Sequence, residues 1–102
     1  MQPLSDVARY VRSKNAGPFW VTIDIFCDSE AAFDRVCNAP SLSPSAVGAL
    51  YGRDAAIVRI FPDRNTQVLK ISFPRASVAG GFRDRDAHAG QYFVPLLSAA
   101  IP

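Results

Sequence analysis

The apolar run FWVTIDIFC at residues 19–27 constrains the fold more than any other segment of the chain. Its side chains alternate with the period of an extended strand. The two faces of such a strand carry Val21, Ile23, Ile25 and Cys27, and Trp20, Thr22, Asp24 and Phe26, respectively. Because both faces are bulky, we expect this strand to lie inside a sheet rather than at its edge.

Asp24 is the charged residue of that run, and a carboxylate on a central strand needs a polar partner. One interpretation is structural, with Asp24 accepting hydrogen bonds from Lys14, from Asn15 or from an N–H group of the C-terminal tail. The other is catalytic, with a buried carboxylate acting as a base of raised pKa.

Three segments have helical patterns. Residues Leu4, Val7, Ala8 and Val11 follow the i, i+3, i+4, i+7 spacing, which predicts a helix over residues 5–13. A second helix is expected over residues 29–38. A third begins at Ser43 and Pro44, an N-cap followed by proline, and ends at Gly52. The side chains expected to face the sheet are Val7, Val11, Phe33, Val36, Val47 and Leu50.

Further strands are predicted downstream. Residues 56–61 and 67–73 alternate and are joined by a turn-forming sequence, so we expect a hairpin. Residues 74–91 have no periodicity, and a long irregular segment in a small domain is usually functional or mobile. Residues 94–101 are apolar again and predict a last strand. The order indicates an α+β fold with a ferredoxin-like four-stranded sheet, helices on one face and a long C-terminal loop.

Composition limits the classes of function. The 102 residues predict a single domain, 1–102. A net charge of +2, with arginines spread along the chain, does not favour nucleic acid as a partner. The chain has no apolar run of about 18 residues, so no membrane span is predicted. It also has no leader pattern, so we expect a cytoplasmic protein. Cys27 and Cys37 are then expected to be free thiols. Two cysteines and one histidine cannot form a CxxC-type zinc site, and no metal or cofactor is expected.

The segment RSKNAGP at residues 12–18 is the first candidate site. A glycine-containing turn at a helix end can present backbone N–H groups, and Arg12 and Lys14 would add positive charge. Arg12, Ser13, Lys14, Asn15 and Gly17 are therefore candidate residues for binding an anion or a substrate. The alternative is a helix stop with solvated charges.

A second candidate lies in the irregular segment. Asp84, Asp86 and His88 could bind a hard cation or transfer protons, and the alternative is a solvated loop of alternating charge. No serine, cysteine or threonine has a nucleophile spacing to His88, so a catalytic triad is not supported. Together with Asp24 and Gln91, these residues form the candidate supporting polar cluster. Lys70 and Arg59 are expected across from each other on the exposed sheet face, either as solvated charges or as a specific anion site.

Nearly the whole chain resembles a known family, through the segment at residues 12–18, the strand at residues 21–25, the helix end at residues 50–52 and the tail. The heptapeptide at residues 12–18 is similar to the signature of a small bacterial domain family of unknown function that accompanies, or is fused to, acyclic terpene utilisation (AtuA) proteins. The tail matches the pattern D-x-D-x₄-Q-x₃-P-L-L at Asp84, Asp86, Gln91, Pro95, Leu96 and Leu97. His88 and the Ala89-Gly90 pair depart from the family's usual residues.

The resemblance implies a partnership. The chain would be a small subunit or accessory domain of a larger AtuA-type protein that acts on acyl-CoA thioesters or small hydroxy acids in a hydro-lyase-like reaction. The enzyme would then be the two-component complex rather than this chain alone. One alternative is a stand-alone ligand-binding or regulatory domain that forms a homo-oligomer through its sheet. Another is a self-sufficient small enzyme.

Two spatial predictions follow. Lys14, Asn15 and Asp24 should form one cluster with Asp86 and Gln91, because a last strand beside residues 19–27 would bring the tail to the Lys14 loop. In addition, the sheet face that carries Trp20 and Phe26 should be covered, by residues 74–91 or by another chain, since large apolar patches are seldom left bare.

Overall fold

The computed structural model describes residues 1–75 and 92–102, which form a four-stranded antiparallel sheet and a small two-stranded sheet. The strands are β1 (Gln2–Pro3), β2 (Tyr10–Asn15), β3 (Trp20–Phe26), β4 (Arg59–Asp63), β5 (Val68–Pro74) and β6 (Ala100–Ile101). The α-helices are α1 (Leu4–Val7), α2 (Glu30–Cys37) and α3 (Pro44–Tyr51). Short 3-10 helices cover Pro40–Leu42, Ala55–Ile57 and Val94–Ser98. The predicted α+β class is confirmed.

Strand β3 lies inside the larger sheet, as predicted. The strand order is β2-β3-β5-β4, and β3 is antiparallel to both of its neighbours. One face of the sheet is apolar and buried, with Val21, Ile23 and Ile25 opposite Phe73, Ile71 and Leu69. The same core contains Phe33 and Val36 of α2 and Val47 of α3, so the helices cover this face.

Strand β2 replaces most of the helix predicted over residues 5–13. Helix α1 ends at Val7, and the next residues turn into an extended segment whose burial alternates with period two. This segment pairs with β3 at six positions. A short helix is only marginally stable by itself, whereas the edge of β3 supplies a complete ladder of hydrogen bonds. The prediction of a helix here was therefore wrong beyond its first turn.

The C-terminal residues do not add a strand to the four-stranded sheet, contrary to the prediction for residues 94–101. Val94–Ser98 is a 3-10 helix, and Ala100–Ile101 pairs with Gln2–Pro3 in the two-stranded sheet. The position beside β3 that a ferredoxin-like order gives to the last strand is occupied by β2. The ferredoxin-like order is therefore not confirmed.

Helices α2 and α3 form where the sequence predicts them. The side chains of Ser29 and Ser43 accept hydrogen bonds of 3.1 and 3.2 Å from backbone N–H groups three residues later, as N-caps do. Helix α3 ends at Gly52, whose φ of +68° lies in the left-handed region that glycine adopts without strain. Leu50 was expected to face the core, but it is 49% exposed.

Strands β4 and β5 form the predicted antiparallel hairpin, displaced by a few residues. Ala55–Ile57, most of it assigned to the strand from the sequence, is a 3-10 turn. The carboxylate of Asp54 caps this turn by accepting a 2.9 Å hydrogen bond from the N–H of Ala56. Strand β4 consequently begins at Arg59 rather than at residue 56.

The second face of the sheet, which we call the open face, lies opposite the helices. Its residues are Tyr10, Arg12, Lys14, Trp20, Thr22, Asp24, Phe26, Arg59, Phe61, Asp63, Val68, Lys70, Ser72 and Pro74. Residues 74–91 or another chain were expected to cover this face, and residues 76–91 lie outside the described part of the chain. The prediction that this face is covered therefore stays a prediction.

Both cysteines are free thiols in the structure, as expected. Cys27 is buried, and burial raises the pKa of its thiol to about 11. Among the helices in residues 1–75 and 92–102, none has the length and apolar character needed to cross a membrane.

Candidate anion-binding cleft on the open face

Strand β2 divides the side chains of the candidate anion-binding segment between the two faces of the sheet. Successive residues of a strand point to opposite faces. Arg12 and Lys14 lie on the open face, whereas Ser13 and Asn15 lie on the face that the helices cover. The four side chains therefore serve two different parts of the molecule.

Asp24 lies between two cations on the open face. The strand register places it opposite Arg12 of β2 on one side and opposite Lys70 of β5 on the other. Arg12 Nε lies 3.7 Å from Asp24 Oδ2, and Lys70 Nζ lies 3.7 Å from Asp24 Oδ1. The partners of this carboxylate are thus Arg12 and Lys70, rather than the Lys14 and Asn15 expected from the sequence.

The Asp24 carboxylate is unusual in its burial. Its side chain is only 4% exposed, although it lies on the face that the helices leave open. Among the described residues, Oδ1 accepts no hydrogen bond. A buried acceptor without a donor costs free energy, so an unsatisfied carboxylate oxygen is a chemically distinctive feature of this face.

A cleft of about 460 Å³ surrounds this carboxylate. Its positive side chains are Arg12, Lys14 and Lys70, and its carboxylates are Asp24 and Asp63. The rest of its lining comes from Phe26, Phe61, Pro62, Thr66 and Val68. The guanidinium of Arg12 also lies 5.1 Å from the centre of the Phe26 ring, and Phe26 stacks on Tyr10. These contacts hold Arg12 against the floor of the cleft while leaving part of its charge exposed.

The other two polar residues of the heptapeptide bind the chain on the core side of the sheet. The hydroxyl of Ser13 accepts a 3.1 Å hydrogen bond from the N–H of Phe93. The side-chain oxygen of Asn15 accepts a hydrogen bond from the guanidinium of Arg75, which also lies 5.0 Å from the ring centre of Tyr92. Ser13 and Asn15 therefore bind Phe93 and Arg75 beside the end of β2.

Comparison with known proteins identifies the family. A family model described as "Domain of unknown function (DUF4387)" matches residues 4–100. The chain belongs to this family. No curated protein and no solved structure matches this DUF4387 domain. Since the family has no assigned function, the function has to be argued from the site.

Gly17, the last of the candidate anion-binding residues, lies in the turn that joins β2 to β3. Its φ of +83° is in the left-handed region, and a Cβ would meet nothing within 4 Å. The N–H of Ala16 donates a 3.0 Å hydrogen bond to the carbonyl of Trp20, which closes the turn. Gly17 thus has a conformational role in the hairpin, independent of any ligand.

The remaining candidates, Asp84, Asp86, His88 and Gln91, lie outside the described residues. Their predicted contact with Lys14 therefore stays a prediction. The described part of this DUF4387 domain contains no group of three His, Cys, Asp or Glu side chains that could hold a metal ion.

Sequence reasoning did not identify Lys70 as a partner of Asp24 or Phe61 as a wall of the same cleft. It placed Lys70 on an exposed sheet face, which is where it lies, but the expected position across from Arg59 was wrong, because Phe61 lies opposite Lys70 and Ser72 lies opposite Arg59. The register between β3 and β5, which sets Lys70 beside Asp24, joins residues 46 positions apart in the sequence. The alternation within each strand indicates the face of a residue, but it does not indicate which residue lies opposite.

Proposed function

We propose that this DUF4387 domain is the small, ligand-binding partner subunit of a larger AtuA-type protein. In this proposal, the cleft around Asp24 binds an anionic ligand, and the larger protein docks on the open face and completes the site. The observation that supports the proposal best is the cleft itself, which three cations and a buried carboxylate line on a sheet face that carries exposed aromatic side chains.

The position of the cleft favours a partner subunit over a self-sufficient enzyme. Arg12 and Lys70 are 56% and 47% exposed, so water screens the charges on which binding or catalysis would depend. Electrostatic stabilisation becomes strong only when water is excluded. A protein docked over the open face would exclude that water and increase the effect of the same charges.

The resemblance to AtuA-associated domains supplies the proposed partner and the reaction class. It suggests a hydro-lyase-like reaction on acyl-CoA thioesters or small hydroxy acids, carried out by the complex. The cleft supports the anionic part of this proposal, because such substrates carry carboxylate or phosphate groups.

A stand-alone ligand-binding or regulatory domain is the second candidate function. The observation that favours it is the exposure of two aromatic side chains on the open face, where Tyr10 is 46% and Phe61 is 50% exposed. A second copy could then cover the open face and form the homo-oligomer.

Co-purification with the AtuA-type protein encoded by a neighbouring gene tests the partnership. Phe61 is 50% exposed at the edge of the open face, and Leu50 is 49% exposed on α3, on the helix side. We expect Phe61→Glu to abolish co-purification and the matched variant Leu50→Glu to retain it. Retention by Phe61→Glu would contradict docking on the open face. If the unmodified chain does not bind the AtuA-type protein, the partnership itself is wrong.

A further inference from the structure

The charges on the open face do not balance. Asp24 is buried beside Arg12 and Lys70, and these two cations are the ion-pair partners that the described residues supply to it. The strand registers place four cations and two carboxylates on this face, namely Arg12, Lys14, Arg59, Lys70, Asp24 and Asp63. Within the described residues, the open face therefore carries more positive charge than it neutralises itself.

The cations without a carboxylate partner lie at the two edges of the sheet. One row of paired residues crosses all four strands and consists of Lys14, Thr22, Ser72 and Arg59. Because neighbouring strands are about 4.8 Å apart, the Cα atoms of Lys14 and Arg59 are separated by about 14 Å. Both side chains are exposed, and neither has an ion pair among the described residues. A small molecule in the cleft would leave Arg59 without a counter-charge, since Arg59 lies outside the cleft lining.

This excess of positive charge disfavours a second copy of the chain as the occupant of the open face. Two such faces placed against each other would oppose like charges, which weakens association. A protein surface that carries carboxylates would instead be attracted to the cations and would meet the face faster. The charge pattern therefore favours an acidic partner over the same chain.

The aromatic side chains of the open face favour a protein over a nucleic acid. Single-stranded nucleic acids bind aromatic surfaces by stacking their bases on the ring faces. Here the Phe26 ring stacks on Tyr10 at 4.3 Å, and the Arg12 guanidinium lies 5.1 Å from the Phe26 ring centre. The Arg59 guanidinium lies 5.1 Å from the ring centre of Trp20. Bases would have to displace these contacts, whereas the side chains of a protein can pack on the exposed ring edges.

We infer that the open face docks an acidic protein surface, whose carboxylates bind Lys14 and Arg59 at the two edges of the sheet. Apolar side chains of that surface pack on the exposed rings of Tyr10 and Phe61. A ligand anion in the cleft and a carboxylate of the partner can share Lys14, because an ammonium group has three donors. This inference rests on the docking proposed above and adds the chemistry of the partner's surface.

Association with the AtuA-type protein of the neighbouring gene, measured by surface plasmon resonance, tests the inference in the complex. The Kd should rise by about tenfold or more between about 0.05 M and about 0.3 M NaCl, because salt screens exposed charges. Lys14→Glu and Arg59→Glu should each raise the Kd by about tenfold at the lower salt concentration. The matched variant Arg64→Glu should bind as the unmodified chain does, because Arg64 pairs with Glu30 and Asp34 of α2 on the helix side. If Arg64→Glu does not fold, Arg59→Gln and Arg64→Gln provide the same comparison with a smaller change in charge.

The chain's only tryptophan, Trp20, lies on the open face and reports its occupancy without the AtuA-type protein. The full chain labelled with 5-fluorotryptophan can be titrated with a ten-residue glutamate peptide and with a ten-residue thymidine oligonucleotide while the ¹⁹F signal is recorded. We expect the glutamate peptide to shift the Trp20 signal, with a Kd that is about tenfold higher in Arg59→Glu and unchanged in Arg64→Glu.

The outcomes distinguish this inference from the proposed function. If the glutamate peptide binds in this way but the AtuA-type protein does not bind, the proposed partnership is wrong and the acidic docking surface stands. Binding of the AtuA-type protein that depends neither on salt nor on Arg59 would overturn the inference and leave the partnership in place. Equal losses in Arg59→Glu and Arg64→Glu would show nonspecific attraction and would also overturn it.

Other occupants of the open face give different results. Tighter binding of the oligonucleotide than of the glutamate peptide would overturn the inference in favour of a nucleic acid. A Trp20 signal that shifts as the chain alone is concentrated, together with formation of a dimer, would overturn it in favour of a second copy. A Trp20 signal that responds to neither the peptide nor the AtuA-type protein would overturn it as well.

Discussion

Replacing both cations beside Asp24 should destabilise the protein by more than the two single replacements together. Arg12 and Lys70 each lie 3.7 Å from a carboxylate oxygen. At that distance, and at an effective dielectric constant of about 20, two unit charges interact by about 4 kcal/mol. Both cations are about half exposed, and solvent screening reduces the contribution of each to about 1 kcal/mol.

The two single variants and the double variant differ in what they leave behind. In Arg12→Met or Lys70→Met, the remaining cation still lies beside the carboxylate. The double variant removes both ion-pair partners of a side chain that is only 4% exposed, and an uncompensated buried charge costs about 3 kcal/mol or more. We expect each single variant to lower the free energy of unfolding by about 1 kcal/mol and the double variant to lower it by at least about 3 kcal/mol.

Urea unfolding of the unmodified chain, both single variants and the double variant gives the interaction energy directly. Methionine keeps the apolar stem of each side chain, so packing changes little. The matched control is a second cycle, made of Arg59→Met, Lys70→Met and the variant with both changes. Their effects on the free energy of unfolding should add, because Arg59 has no ion pair with Asp24 among the described residues. Effects of Arg12→Met and Lys70→Met that add within about 0.5 kcal/mol would refute the argument that these two cations jointly compensate Asp24.

Two further predictions concern the core. Gly48→Ala should lower the melting temperature, because a Cβ at Gly48 would lie 2.5 Å from the backbone oxygen of Arg53. Overpacking costs about 1–3 kcal/mol, which exceeds the gain of about 1 kcal/mol from the higher helix propensity of alanine. A melting temperature that is unchanged or higher would contradict this prediction. Burial raises the pKa of Cys27 from 9.0 to about 11, so the folded state binds this proton more tightly and loses stability as the pH rises from about 9 towards 11. In urea unfolding at pH 8 and pH 10.5, Cys27→Ala should lose less stability with rising pH than the unmodified chain, and an equal loss in both proteins would contradict the assignment.

The sequence alone predicted those helices and strands whose formation depends on neighbouring residues. The alternation of residues 19–27 predicted a central strand, and the Ser43–Pro44 cap together with Gly52 predicted the limits of α3. These predictions succeeded because backbone geometry and hydrogen-bond capping depend on residues within three or four positions of each other. The same local patterns identified Arg12, Lys14 and Asp24 as residues of interest.

Tertiary structure decided what the local patterns left open. Residues 10–15 became a strand because the edge of β3 offers them hydrogen bonds, and the C-terminal residues lost the place beside β3 for the same reason. The meeting of Arg12, Asp24 and Lys70 depends on the registers of three strands. A register is set by how whole faces pack against the core, so no local stretch of this sequence contains it.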